Sequence, residues 1–320
     1  MHEGINDLVS VIMPNYCCPY LLQAIDSVLM QDYPYIQLIV TDDCSTQWNQ
    51  KTIEDYLYKN GQHLHQWRVL SSEKNNGTVK NINRALELAS GEYVFFLASD
   101  DTFFDETVIS EWVAEFRKTG ADVITGKRMC FDSENQNNVG LRPTGYQIRW
   151  IQTLSCPELY EKLARENFIF GCCTARTMSC IRKYGYCDES YSLIDDYPQI
   201  LFLLRNNVKI HFFDRTVVYY RLNGVSSPIR YNEKYEKDAE RILYNEIVPN
   251  SRHPRIAEWY FNVWKRHHIL SGYCQELNRH LRNKSAIFLC IKVCSLMIQP
   301  SYLLIKFETL INQLRYMNDK

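Results

Sequence analysis

Two hydrophobic periods take turns along the first part of this chain. Strand-like apolar runs fall at residues 8–13, 37–41 and 93–99, with a further strand around 67–70. Runs of that length and character predict strands buried on both faces. Between them apolar residues recur at helical spacing: Leu21, Leu22, Ile25, Val28 and Leu29, then Ile53, Tyr56 and Leu57, then Val79, Ile82, Leu86 and Ala89. The segment Pro14-Asn15-Tyr16 predicts a turn, Pro19 suits the first position of a helix, and Gly91 marks a helix stop. A helix over 106–118 and a fifth strand over 121–125 follow. This β-α-β-α-β series predicts an α/β fold whose mostly parallel sheet is flanked by helices.

The second part is less regular. Residues 131–149 are polar, rich in Asn and broken by Gly and Pro, and predict a loop or flap. Helices are expected over 157–166, 177–184 and 195–204, and strands over 209–213 and 216–220. Beyond residue 231 the pattern is helical throughout. We therefore expect an α/β domain over 1–228 and a helical C-terminal extension over 229–320. The apolar stretch 286–296 is interrupted by Lys292 and followed by Pro300, too short and too charged for a membrane span.

The chemistry sits where strands end. The run 37–41 leads into Asp42-Asp43 and the run 93–99 into Asp100-Asp101. In open α/β sheets ligands bind beyond the carboxyl ends of the strands. Four carboxylates there need a cationic or hydrogen-bonding partner, and Mg²⁺ or Mn²⁺ carrying a diphosphate meets that need through oxygen ligands. Asp100 and Asp101 are the candidate metal ligands. Asp42 is a candidate for the base or ribose of a nucleotide, and Asn76 and Asn83 for further polar contacts. The competing reading for each acid is helix capping or an Asx-turn, and for Asn83 an exposed helix position. Asp195-Asp196-Tyr197 opens an apolar helix, so one of the pair is either a general base or a complement to the helix dipole. Arg221 either neutralises phosphate or forms an ordinary ion pair.

Composition narrows the classes. A net charge of −1 and a pI near 6.7 give no electrostatic case for nucleic acid. Twelve cysteines include no CxxC pair, which speaks against a zinc site, and the adjacent pairs Cys17-Cys18 and Cys172-Cys173 suit disulfides poorly. Without a signal-like N-terminus, a cytoplasmic protein with reduced thiols is expected, in solution or at the inner face of the membrane.

Taken in order, these motifs resemble the family 2 nucleotide-sugar glycosyltransferases of the GT-A fold, over roughly residues 9–227. Val9 to Tyr16 is similar to the family's opening strand and Pro-x-Tyr turn, and Leu38 to Ser45 to its second strand and Asp-Asp-Gly-Ser. Asn75-Asn76-Gly77 with Asn83 resembles the third signature, Tyr93 to Asp101 the metal-binding strand, and Asp195-Asp196-Tyr197 the Glu-Asp-Tyr motif. Tyr220-Arg221-Leu222-Asn223-Gly224 to Ser226 resembles the Tyr-Arg…Ser segment that closes over the diphosphate. Ala98 departs from the first acid of Asp-x-Asp, Cys44 from the usual Gly, and Ile82 and Ala85 from an Arg-Asn-x-Gly run.

The resemblance implies inverting transfer of a sugar from a nucleotide diphosphate sugar, UDP-linked, to a hydroxyl of a glycan or lipid-linked oligosaccharide in bacterial surface polysaccharide synthesis. Asp196 would be the base. Pro14, Asn15, Tyr16, Asp42, Asn76, Asn83, Asp100 and Arg221 would bind donor, with Mg²⁺ or Mn²⁺ on Asp100 and Asp101. The C-terminal helices would seat the enzyme on a membrane, or pack on the catalytic domain or a second subunit. Two enzyme rivals are weaker: a nucleotidylyltransferase lacks its Gly-rich basic loop here, and a dehydrogenase its GxGxxG. The non-enzyme alternative is a glycan-binding or scaffold protein on the same fold.

Overall fold

The computed structural model describes residues 7–132, 137–222, 232–266 and 300–318. The strands are β1 (Val9–Asn15), β2 (Ile36–Asp42), β3 (Gln66–Ser71), β4 (Tyr93–Phe96), β5 (Thr102–Phe103), β6 (Val123–Asp132), β7 (Asn137–Arg142), β8 (Thr174–Thr177) and β9 (Ile210–Arg221). The helices are α1 (Leu21–Leu29), α2 (Gln50–Asn60), α3 (Thr78–Leu86), α4 (Val108–Thr119), α5 (Gly145–Thr153), α6 (Cys156–Leu163), α7 (Met178–Tyr184), α8 (Asp196–Arg205) and α9 (Glu233–Arg241). Among the described residues one sheet runs β3-β2-β1-β4-β8-β6-β9-β5, with β7 beside β6. Strands β3, β2, β1 and β4 are parallel, as expected. Strand β8 then runs antiparallel between β4 and β6, and β9 lies parallel to β6.

Burial on both faces follows the two-residue strand period. Ile12, Ile39, Val94 and Phe96 face a core completed by α3, α6, α7 and α8. Val11, Met13, Leu38, Val40 and Phe95 face the opposite core, filled by α1, α2 and α4 around Trp112. The described part of the C-terminal extension joins the first core through Ile242, Leu243, Ile247 and Ala257. There Arg205 grips the Glu246 carboxylate with Nε at 2.6 Å and Nη2 at 2.8 Å.

Several expectations are corrected. Pro14 and Asn15 belong to β1 rather than to a turn, and Pro19 precedes α1 by two residues. Helix α3 ends at Leu86, well before Gly91. Gly91 serves close approach instead, for a Cβ there would lie 2.5 Å from Ser10 N. Strand β4 stops at Phe96; a turn closed by Asp101 N on Ala98 O carries the acids beyond it. The loop or flap expected over 131–149 carries regular structure among its described residues: β6 extends to Asp132, β7 pairs with it, and α5 starts at a Thr144–Gln147 capping box. The two short strands expected over 209–220 are one, β9. No helix among the described residues is long and apolar enough to cross a membrane. The apolar stretch 286–296 lies outside the described residues, as do Asn223, Gly224 and Ser226 of the last motif.

Candidate active site

The carboxyl ends of β1, β2 and β4 converge on a buried polar network. Asp42 is fully buried; its Oδ1 accepts from Asn15 Nδ2 at 2.6 Å and Ser45 Oγ at 2.5 Å, and its Oδ2 from Ser45 N at 2.8 Å. Asp43 receives Asn76 N on one oxygen and Gly77 N on the other, each at 2.8 Å. Asp42 therefore fastens β1 to β2, and Asp43 holds the loop before α3. Cys44, which stands in place of the family's Gly, takes the left-handed φ of 65° that the turn demands. Arg84 closes the network from α3, giving Nη2 to Thr41 Oγ1 at 2.7 Å and to Asp42 O at 3.0 Å. Asn15 Oδ1 is buried here with no partner among the described residues, and Tyr16 stands exposed at the rim. Pro14 accepts Ser99 N on its carbonyl.

Asp100 and Asp101 lie beside this network. Burial holds the Asp100 carboxyl above its ordinary range. Asp101, 1% exposed, is pushed well above it by burial and then by the charge of Asp100. Arg221 answers them: its backbone N donates to Asp101 Oδ1 and its Nε to Asp100 O, both at 3.0 Å, while its guanidinium lies 3.8 Å over the Tyr20 ring. Among the described residues no three His, Cys, Asp or Glu side chains cluster as a full metal cage. The donor set still fits Mg²⁺ or Mn²⁺: two adjacent hard-oxygen acids, both held back from ionising by burial, leave other positions for phosphate oxygens and water.

The second pair lies at the start of α8. Asp196 accepts Gly171 N on Oδ2 and Tyr197 N on Oδ1, each at 2.7 Å. Gly171 has no side chain to spare, since a Cβ would lie 2.8 Å from Asp196 Cβ. Asp195 occupies the N-cap position but makes no side-chain capping bond. Its carboxyl is pushed up to about 7, by burial first and the Asp196 charge second, with Arg176 opposing. Of the other candidates, Asn76 spends its side chain on Ser72 and Lys74. Asn83 is buried rather than exposed, and its amide ties α3 to residues 187–189 through Cys187 N, Cys187 O and Glu189.

Sequence reasoning missed Arg128. Its guanidinium is sandwiched 3.5 Å from the Phe170 ring centre and 3.8 Å from that of Tyr220, with Cys172 Sγ 3.9 Å from Nη1. Its charge opposes that of Asp101. The turn 170–173 thus links the two acid pairs, Gly171 holding Asp196 and Cys172 meeting Arg128, whose charge opposes that of Asp101. No local signal marks Arg128, because its partners come from β9 and from the turn 170–173, both far along the chain.

A family model for glycosyl transferase family 2 matches residues 10–185. Glycosyltransferase GlyG of Streptococcus pneumoniae is 23% identical over 249 residues, covering 76% of this chain and 80% of GlyG. The Staphylococcus aureus poly(ribitol-phosphate) beta-N-acetylglucosaminyltransferase TarS is 29% identical over 170 residues, half of this chain but 29% of TarS. The solved structure of S. aureus TarS 1–349 in complex with UDP-GlcNAc superposes with a TM-score of 0.54 at 22% identity, covering 82% of this chain and 72% of that one. The mannosyltransferase PcManGT from Pyrobaculum calidifontis, in complex with GDP-Man and Mn²⁺, gives 0.59 at 14% identity over 98% and 85%. These superpositions bear out the expected fold class.

Proposed function

We propose that this chain, which belongs to glycosyl transferase family 2 and is a glycosyltransferase, works by inversion on a UDP-linked sugar with a glycan or lipid-linked hydroxyl as acceptor, in bacterial surface polysaccharide synthesis. The observation that carries the reading is the pairing of two acid sites across one turn: Asp100 and Asp101 on the donor side, Asp196 on the other. Asp196 takes the proton of the acceptor hydroxyl while that oxygen bonds to the anomeric carbon. The bond from that carbon to the diphosphate breaks, and its electron pair leaves with the diphosphate. Asp100 and Asp101 would hold Mg²⁺ or Mn²⁺, which when bound neutralises charge on the leaving diphosphate. Arg221 adds fixed positive charge at the same place. Asn15, with its free carbonyl oxygen, and exposed Tyr16 line the donor side, while Asp42 and Asp43 keep its loops in position.

The nucleotide choice draws on TarS, whose structures carry UDP and UDP-GlcNAc, and the cation on PcManGT, whose structure carries Mn²⁺. A lipid-linked acceptor would bring the enzyme to a cytoplasmic membrane face. The apolar side chains of Leu304, Phe307, Leu310, Leu314 and Met317, exposed on the helix Pro300–Asn318, suit that contact. Replacement of the first metal-site acid by Ala98 is what favours the scaffold alternative, and turnover decides between them. The test is UDP release from UDP-GlcNAc with Mn²⁺, compared between wild type and Asp196→Asn. A fall of roughly 10²–10⁴-fold with unchanged UDP affinity is expected for loss of a general base. No release by wild type from any nucleotide sugar overturns the enzyme reading; near-wild-type release by Asp196→Asn overturns the base.

A further inference from the structure

The loop that delivers Asp195 and Asp196 to the site is gripped from outside the region matched by the family model. Asp238, on α9, is 1% exposed. Its Oδ2 accepts three successive backbone N–H groups, from Ser192 at 2.8 Å, Leu193 at 2.6 Å and Ile194 at 3.2 Å. Successive N–H groups turned toward one point form a nest for negative charge, and bonds to an ionised acceptor are stronger than neutral ones. One turn further along, Arg241 gives Nη1 to Ser190 O at 2.7 Å. The opposite side of the same loop is held by the donor-side loop. Val79 N donates to Ser192 O, and a Cβ on Gly77 would lie 2.6 Å from that oxygen. Ser192 is therefore pinned between the loop that Asp43 organises and the helix that carries Asp238, three residues before the acid pair.

We propose that Asp238 is a positioning residue for the transfer reaction, fixing the 192–194 turn so that α8 starts where Asp196 reaches the acceptor. The proposal rests on the reading of Asp196 as base. It assigns the C-terminal segment a part in catalysis: α9 sets the register between donor loop and base. The Asp238 carboxylate does not touch substrate; it acts through the backbone of residues 192–194.

The test is a double-mutant cycle on full-length protein. Asp238→Ala, Asp238→Asn, Asp196→Asn and the double variant Asp238→Ala/Asp196→Asn are compared. The readout is nucleotide release to water from whichever of UDP-GlcNAc, UDP-glucose or GDP-mannose wild type turns over fastest. Alanine is the best helix former, so α9 should survive. Displacing a reacting group by about 1 Å costs on the order of 10²-fold, so Asp238→Ala should lose about 10–100-fold in kcat with UDP affinity within about twofold. Asp238→Asn, which keeps an acceptor oxygen, should recover part of the loss. The double variant should be no slower than Asp196→Asn alone, because a misplaced base and an absent one are the same defect. Hydrogen exchange read on the same proteins should speed up at the 192–194 amides of Asp238→Ala and not in β1 or β2. Wild-type kcat in Asp238→Ala beside an inactive Asp196→Asn, unchanged exchange at 192–194, or independent losses that multiply in the double variant would each overturn the proposal. An active Asp196→Asn would instead sink the base reading.

Discussion

Replacing Gly171 by alanine moves the acid at position 196 without removing it. The glycine is not in the left-handed region, so an alanine there meets no backbone objection. Its added Cβ would lie 2.8 Å from Asp196 Cβ, 3.3 Å from Oδ2 and 3.4 Å from Cγ. Carbon atoms rest about 3.5–4.0 Å apart, so the turn and the start of α8 must separate by roughly 0.7–1.2 Å. The 2.7 Å bond from Gly171 N to Oδ2 stretches or breaks with that separation. A displacement of about 1 Å at a reacting group costs about 10²-fold, or close to 2.7 kcal/mol in the barrier. Overpacking also lowers stability, by about 1–3 kcal/mol, which the fold should survive. Steady-state nucleotide release with saturating UDP-GlcNAc gives kcat, UDP titration gives donor affinity, and a melting curve confirms folding. Gly171→Ala should lose about 10²-fold in kcat, keep its UDP affinity and melt a few degrees lower. A kcat within threefold of wild type, in a variant whose melting point has fallen, would refute the reasoning, because the strain would then be present without any effect on catalysis.

On the donor side, Asp101→Asn should fold and still bind UDP, but lose the extra thermal stabilisation that Mn²⁺ gives the UDP complex; full retention in a melting assay would move the metal elsewhere. Asp195 is held up at about 7 against an ordinary 3.8, so its share of stability is present at low pH, fades as pH rises from about 4 to 7, and is gone above. Asp195→Asn should therefore flatten the fall in melting temperature between pH 5 and 7, and an unchanged slope would contradict the shift.

The halves of the molecule differ in how openly the chain announces them. Strands β1, β2 and β4 were legible because every residue of Ile36–Asp42 and Tyr93–Phe96 is buried, and double-faced burial demands a continuous apolar run. Strand β8 was not, because Thr174–Thr177 reads Thr-Ala-Arg-Thr, and its buried Arg176 looks like a surface residue until β4 and β6 close around it. The outer half of β6 was hidden similarly, its mostly half-buried residues Lys127 to Asp132 giving no alternation. At the site, acids at strand ends were visible as candidates, but their division of labour was not. Asp43 bonds N–H groups 33 and 34 positions away, and Arg128 meets Cys172 across 44. Asp238 was the least visible of all. It sits in Glu-Lys-Tyr-Glu-Lys-Asp-Ala-Glu-Arg, which reads as a solvated helix, and only tertiary packing buries it.

Charge balance bears on why a cation is proposed for this site in spite of its three arginines. Arg221, Arg128 and Arg176 stand against Asp100, Asp101, Asp195 and Asp196. Burial holds Asp100, Asp101 and Asp195 toward their protonated forms, Asp195 up to about 7, so a bound cation would have to draw the first two into their ionised forms. In the proposed donor complex a nucleotide diphosphate would add about two negative charges beside Asp100 and Asp101, which repel those acids wherever they ionise. At about 4 Å, with an effective dielectric near 20, each such like-charge pair costs about 4 kcal/mol. Arg128 cannot swing across to meet them, because Phe170 and Tyr220 clamp both faces of its guanidinium. Arg221 is already engaged by Asp100 O, Asp101 and Tyr20. A divalent cation therefore has most to gain when the diphosphate arrives. With Ala98 offering only its carbonyl, to Asp101 N, the proposed site would draw two acids from the protein and the rest of its ligands from the diphosphate and water. Cation and donor should accordingly bind as one unit, each raising the affinity of the other by the same factor.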